Sequence, residues 1–203
     1  MGNAANLIVS PALLYISPVG TTLPNETTVA AGASWGAGWT DVGFTSSPLV
    51  MNMNDEKFAL EVEQVSAELM EVLTKRTIEL ETTLAEITAA NLKYAMSAGS
   101  TIVPTAAGAG QHGFEKLAFG GEVLLPEYQV GFEASKLDSS GNALVTRFFF
   151  YRCTLSMDGS LEFSKKAQAG IPLKIKAMPD TTKSQGSMTG EMQRVTAWKL
   201  PEE

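Results

Sequence analysis

Lys57-Phe-Ala-Leu-Glu-Val-Glu-Gln-Val65 and Thr74-Lys-Arg-Thr-Ile-Glu-Leu-Glu-Thr-Thr83 decide how this chain folds. In the first run Phe58, Leu60 and Val62 point one way, and Lys57, Glu61 and Glu63 the other. In the second, Ile78 and Leu80 share one face while Thr77, Glu79 and Glu81 share the opposite one. Strict alternation of this kind marks strands with one dry face and one wet face. The segment between them, around Ser66–Met70, reads as a loop or turn. Thr83-Leu-Ala-Glu86 has the form of a capping box and predicts a helix from Leu84 to about Ser97, stopped by Gly99.

The remaining segments also read as short strands separated by turn residues. Leu7-Ile-Val9 and Leu13-Leu-Tyr-Ile16 flank Pro11, which predicts an N-terminal arm or edge strand over 1–20. Residues 20–38 are rich in Gly, Thr and Ala and form a long loop. Strand candidates follow at Trp39–Thr45, Pro48–Asn54, Tyr128–Ala134, Leu144–Leu155 and Ile171–Met178. Asp158-Gly159 is a hairpin signal followed by Leu161-Glu-Phe163. Residues 98–115 carry five Gly or Pro residues (Gly99, Pro104, Gly108, Gly110, Gly113) and read as a mobile linker or loop. The last stretch, 181–203, has little pattern and reads as a C-terminal arm around a main domain of 21–180. No repeat recurs at a fixed period. The fold class is therefore mainly β: a sandwich or partly open barrel with one flanking helix at 84–97, extended loops and terminal arms.

The bulk composition limits function. The chain has 203 residues, 44% of them hydrophobic, with a formal net charge of -7. That is enough to bury a sizeable core, and the charge opposes binding to phosphates. Cys153 is the one cysteine, so no internal disulfide forms and a reducing compartment is expected. The stretch 1–17 lacks a basic start and is broken by Pro11, so no signal peptide is expected. No apolar run approaches the roughly 20 residues of a membrane helix. Asn25-Glu-Thr27 fits a glycosylation sequon, a reading that also needs secretion.

Candidate chemistry is sparse. His112 is the one histidine, so Cys153 with His112 is the sole nucleophilic pair on paper. Cys153 sits in an alternating strand, which suits a small packing residue better. The ligand count excludes the common zinc sites, and no calcium-loop spacing, phosphate loop or Gly-x-Ser-x-Gly occurs. Glu61, Glu63, Glu79 and Glu81 could form a carboxylate pair for glycoside hydrolysis, but their alternation favours a solvated strand face. No cofactor and no catalytic residue is expected. A monomeric β-sandwich binding module for sugar or protein stays open, because Trp35, Trp39 and Trp198 lie in or beside irregular segments.

Thr77-Ile-Glu-Leu-Glu-Thr-Thr-Leu-Ala-Glu-Ile-Thr-Ala-Ala-Asn-Leu-Lys-Tyr-Ala-Met96 resembles the strand-plus-helix signature of the major tail tube proteins of tailed bacteriophages. Trp39-Thr-Asp-Val-Gly43, Leu124–Phe132, Arg147–Arg152 and Ile171–Asp180 are similar to that family's first step into the sheet, its paired later strands and its closing strand. The long tail after Asp180 and the Gly-rich segment at 99–113 depart from the family's minimal form. The resemblance implies a non-enzymatic virion protein, made in the host bacterial cytoplasm, whose long strands join those of neighbours in an inner barrel. Its hexameric rings stack into a hollow tube around a tape measure protein, bounded by tail-tip or baseplate and tail terminator proteins. DNA passes through without specific binding, and nothing inserts into a membrane.

On that reading Glu61, Glu63, Glu79 and Glu81 line or approach the lumen, and Lys75, Arg76, Leu92, Tyr94 and Met96 are candidate subunit-interface residues. Across 57–83 six acids and three bases give 3 − 6 = −3. Two alternatives remain open: an ordinary solvated outer face, or salt bridges from these carboxylates to Lys75 and Arg76 between subunits.

Overall fold

The computed structural model describes residues 7–198 apart from 37, 64, 122 and 139. In chain order the strands are β1 (Leu13–Pro18), β2 (Thr40–Asp41), β3 (Val50–Val62) and β4 (Val65–Leu84), then helix α1 (Ala89–Ala95). The short pair β5 (Val103–Thr105) and β6 (Phe114–Lys116) follows, then β7 (Glu127–Leu137), β8 (Ala143–Met157), β9 (Ile171–Met178) and β10 (Gly190–Arg194). One antiparallel sheet runs β2-β1-β7-β8-β9-β4-β3, with β10 also paired to β8, and β5-β6 forms a separate hairpin. The fold is mainly β, and the sheet is open rather than a closed barrel.

A bulge in β8 organises this sheet. Tyr128 faces Cys153 and Val130 faces Phe150, so Gln129 alone lies opposite both Tyr151 and Arg152. An extra residue of this kind bends the strand and resets which side chains share a face. Before the bulge β8 pairs with β10, as in Arg147 opposite Gln193; after it, with β9, as in Thr154 opposite Lys176. One sheet face carries the main core: Leu14, Ile16, Val130, Phe132, Phe150, Cys153, Leu155, Leu173, Ile175, Leu80 and Leu84, with Ala95 of α1 among them.

The opposite face is covered, over β1, β7 and the first half of β8, by the loop of residues 19–39. Trp35 stacks on Tyr15 at 4.1 Å, and Trp39 meets Trp35 edge-on at 5.0 Å. Gly131 makes this possible, because a Cβ there would sit 2.5 Å from the Trp35 ring. Arg147 is fully buried beneath the loop. Its Nε donates to Glu133 at 2.8 Å, Nη1 to Glu26 at 2.6 Å, and Nη2 to the carbonyls of Val29 at 3.0 Å and Ala30 at 3.2 Å. Glu133 also accepts from the Gly32 amide and the Trp35 indole. One cation thus ties the loop to the sheet between two carboxylates. Burial raises the pKa of Glu26 despite Arg147, and its Oε1 is buried with no hydrogen-bond partner. Burial, then the charge of Glu133, pushes the Tyr15 phenol up to about 12.

Several boundaries differ from the sequence reading. The helix begins at Ala89, not Leu84, because β4 continues pairing with β9 as far as Leu84 opposite Ile171. Thr88 is its N-cap and accepts from the Asn91 amide at 3.1 Å. Glu86 closes no capping box and instead accepts from the Phe44 amide at 3.0 Å. Most of the runs 48–54 and 57–65 joins in the single strand β3, Val50–Val62, because Asp55 and Glu56 find Arg76 and Lys75 directly opposite, while Val65 opens β4. Ser66–Met70 lies inside β4 rather than in a loop. Within the segment read as an N-terminal arm or edge strand, residues 13–18 form β1, which pairs along β7, has only the two-residue β2 on its other side, and buries Leu14 and Ile16. The C-terminal segment contributes β10, and the Val195 amide donates to Val145. Leu161–Phe163 is not a strand; the connection from β8 to β9 is irregular throughout. The Gly-rich stretch contains the β5-β6 hairpin.

Arg147→Met is expected to cost about 3–5 kcal/mol in urea unfolding, because it leaves two carboxylates buried without their cation. The raised pKa of Glu26 sets a sign. Its favourable contribution is complete below the ordinary carboxylate range and is lost as pH rises through the raised value. Glu26→Gln should therefore remove a decline in stability between acid and neutral pH that the unsubstituted chain shows in parallel urea titrations.

Candidate functional site: an exposed ribbon and a charged sheet face

β9 pairs with β4 from Ile78 to Leu84, and among the described residues β3 has no strand partner but β4. From Thr77 outward the two strands form a lone ribbon. At about 3.4 Å per residue it projects roughly 40 Å. Cross-strand ion pairs stiffen it: Lys57–Glu71 at 2.8 Å, Lys75–Glu56 at 2.7 Å and a two-pronged Arg76–Asp55 contact at 2.7 Å. The Arg76 hydrogen bond holds the Asp55 carboxyl below its usual range, and the Glu71 hydrogen bond raises Lys57. Exposed pairs like these contribute little to stability.

The ribbon has an apolar side without a cover. Phe58 lies opposite Val72 and Leu60 opposite Met70, so alternation sets these four on one face. All are exposed, Phe58 at 59%. The dry face anticipated from Phe58 and Leu60 exists as a pattern, but no described residue covers it. At the base, Ile78 and Leu80 reach the core on the side of Met51 and Met53, which alternation along β3 sets opposite to Phe58 and Leu60.

The acidic residues separate into two groups. Glu61 and Glu63 are exposed at the ribbon tip and form no ion pair among the described residues. Glu79 and Glu81 stand at the base, opposite in sense to Ile78 and Leu80, with the Lys174 amine 3.1 and 3.2 Å from their carboxylates. Register extends this polar face to Asn52 and Asn54 of β3, Lys174 and Lys176 of β9, and Arg152, Thr154 and Ser156 of β8. Glu127 of β7 joins it through Arg152 at 2.7 Å. Glu79, Glu81 and Glu127 against Lys174, Lys176 and Arg152 give 3 − 3 = 0. The negative excess counted along 57–83 is thus balanced at the base by cations from β8 and β9, which the linear count could not see.

The other anticipated interface residues are engaged within the chain. Lys75 and Arg76 pair with Glu56 and Asp55. Leu92 and Tyr94 are half-buried against the main core, Tyr94 edge-on to Tyr128 at 5.1 Å, and Met96 is half-buried at the helix C-cap. Two apolar surfaces escaped the sequence reading. Phe119, Val123 and Leu124 are exposed on the connection before β7. A second surface, a cleft of about 500 Å³, includes Met51, Met53, Ile78, Phe148, Met188 and Met192 in its lining. The signal for it was the spacing of four of the nine methionines.

Cys153 is buried and burial pushes its thiol far up, the reverse of an activated nucleophile. No group of three potential metal ligands occurs among the described residues. Trp35 at 4% and Trp39 at 8% exposure are core residues, so they offer no sugar platform. No helix is long and apolar enough to cross a membrane.

Lys174→Ala leaves Glu79 and Glu81 side by side without their cation. The expected loss of stability is small, since exposed ion pairs contribute little. Adding Glu79→Gln should recover part of that loss, as a double-mutant cycle in urea would show.

No curated protein matches the sequence. The family described as "Phage tail tube protein" matches residues 1–189. That match spans β1 to β9 and ends at the residue before β10, and the chain belongs to the phage tail tube protein family.

Proposed function

We propose that this protein is a structural subunit that assembles into six-membered rings, stacked as the hollow tail tube through which phage DNA is ejected. The observation that carries the reading is the β3-β4 ribbon. It exposes Phe58, Leu60, Met70 and Val72 on a two-stranded element that no described residue of its own chain covers. Isolated two-stranded hairpins are marginal in water. Burying an apolar side chain of this size contributes about 1.5–3 kcal/mol, so four of them favour a covered state strongly. The protein acts without catalysis. Its partners are further copies of itself, a tape measure protein during assembly, and tail-tip and terminator proteins at the ends. Its place is the tail of the virion, after synthesis in the host cytoplasm.

In this reading the polar face around Glu79, Glu81, Lys174 and Lys176 lines the lumen. A wall whose charges are paired offers DNA neither a run of cations to grip nor a strong field to oppose it. What field remains is screened within about 8–10 Å at physiological salt. The wall is thus neutral in effect rather than acidic.

Negative-stain electron microscopy of the purified protein at rising concentration should show rings and tubes with a central channel. A protein that stays monomeric at every concentration, with or without a tail-tip nucleator, contradicts the proposal. A second measurement addresses the lumen. Asn52→Lys with Ser156→Lys should leave tube assembly intact but slow genome ejection, most at low salt, because added cations bind phosphates. Unchanged ejection at low salt contradicts the lumen assignment.

A further inference from the structure

The exposed ribbon face and the methionine-lined cleft are two apolar surfaces of one chain. We propose that the ribbon tip of one copy, through Phe58, Leu60, Met70 and Val72, seats in the Met51/Met53/Met192 cleft of a second copy. This inference rests on the tube reading and specifies one contact within it.

Geometry excludes the chain's own ribbon as the occupant. Met51 and Met53 lie on β3 itself, opposite Leu80 and Ile78. The ribbon leaves the cleft as a continuation of that same strand, paired with β4 up to its turn through two register shifts, at Glu56/Lys57 and Leu60/Val62. For the tip to return, β3 would have to fold back on itself. An extended pair of strands held by cross-strand ion pairs at Arg76–Asp55, Lys75–Glu56 and Lys57–Glu71 does not do so.

The cleft suits an apolar side chain or two. Its volume of about 500 Å³ falls within the range of roughly 300–1,000 Å³ typical of ligand-holding clefts. Its floor is core: Ile78 and Phe150 are buried. Its rim is soft, with Met53 at 51% and Met192 at 54% exposure. Methionine is unbranched and polarisable, and it adapts to an incoming side chain better than leucine or valine. The two surfaces differ, so the contact is head-to-tail. Contacts of that kind close into rings or run on as open filaments, and a tube requires both kinds of growth. A symmetric pairing of two ribbons would stop at a dimer.

Cys153 is buried, so engineered thiols report cleanly. Leu60→Cys and Met192→Cys are placed on separate chains, which are mixed, assembled and treated with a short bis-maleimide. The proposal expects covalent dimers in the mixture well beyond those from either variant alone. It is overturned if the mixture forms tubes but links no more than the single variants. It is also overturned if the cleft thiol stays freely reactive in tubes made of this protein alone, since another occupant would then be required. A second variant guards against indirect effects. Met53→Asp changes an exposed side chain and should leave the monomer's melting temperature unchanged. The proposal expects the concentration needed for assembly to rise by at least ~10-fold. Assembly of Met53→Asp at the ordinary concentration overturns the contact while leaving the tube reading intact. Failure of the unsubstituted protein to assemble at all overturns both.

Discussion

Two strands without a third are poorly held in water, and this constraint governs the molecule. β3 and β4 run together well past the point where β9 stops supporting them. Their backbone bonds are satisfied along one side only. Their ion pairs lie in high dielectric, where attraction between charges is weak. The apolar side chains that would ordinarily hold such a ribbon to a core point into solvent. A subunit built this way has left part of its stability to be supplied by contact with another surface. Membership of the tail tube family gives that surface a natural source in further copies of the chain.

The rest of the fold supplies a rigid base for the ribbon. The β8 bulge lets one strand serve β10 in its first half and β9 in its second. It also separates the two regimes of the face opposite the main core. Ahead of the bulge that face is roofed by the 19–39 loop, held by Arg147 and the Trp35–Tyr15 stack. Behind it the face is open and polar, with Lys174 bridging Glu79 and Glu81. Buried charge clusters of the Arg147 kind cost solvation and often add little net stability. Here the cluster fixes position, because five groups of the loop and sheet converge on one guanidinium and its partner carboxylate Glu133.

Much of this was legible in the residues. The alternation of Ile78, Glu79, Leu80 and Glu81 gave the correct faces for the base of β4, and Ile171–Met178 matched β9 end to end. The family's strand-plus-helix pattern pointed to the right family. The helix start was misread because Thr83 and Glu86 satisfy a local capping rule, while the pairing that overrides it comes from Ile171 and Pro172, nearly ninety positions away. β3 was split because Asp55 and Glu56 look like turn residues until Arg76 and Lys75 are placed opposite them. The charge of the polar face was misjudged for the same reason. Its acids are close in sequence, but its cations lie on β8 and β9. Trp35 and Trp39 looked available because their loop is irregular, and irregular backbone says nothing about which side chains it buries.

Amide hydrogen exchange across Val50–Arg76, in dilute and in assembled protein, tests the central claim most directly. The account predicts rapid exchange along the ribbon beyond Ile78 in the dilute subunit, while β7, β8 and β9 stay protected. It predicts strong protection of the same amides after assembly. A ribbon already as protected as β8 in the dilute subunit, or one whose exchange does not change when tubes form, would contradict it.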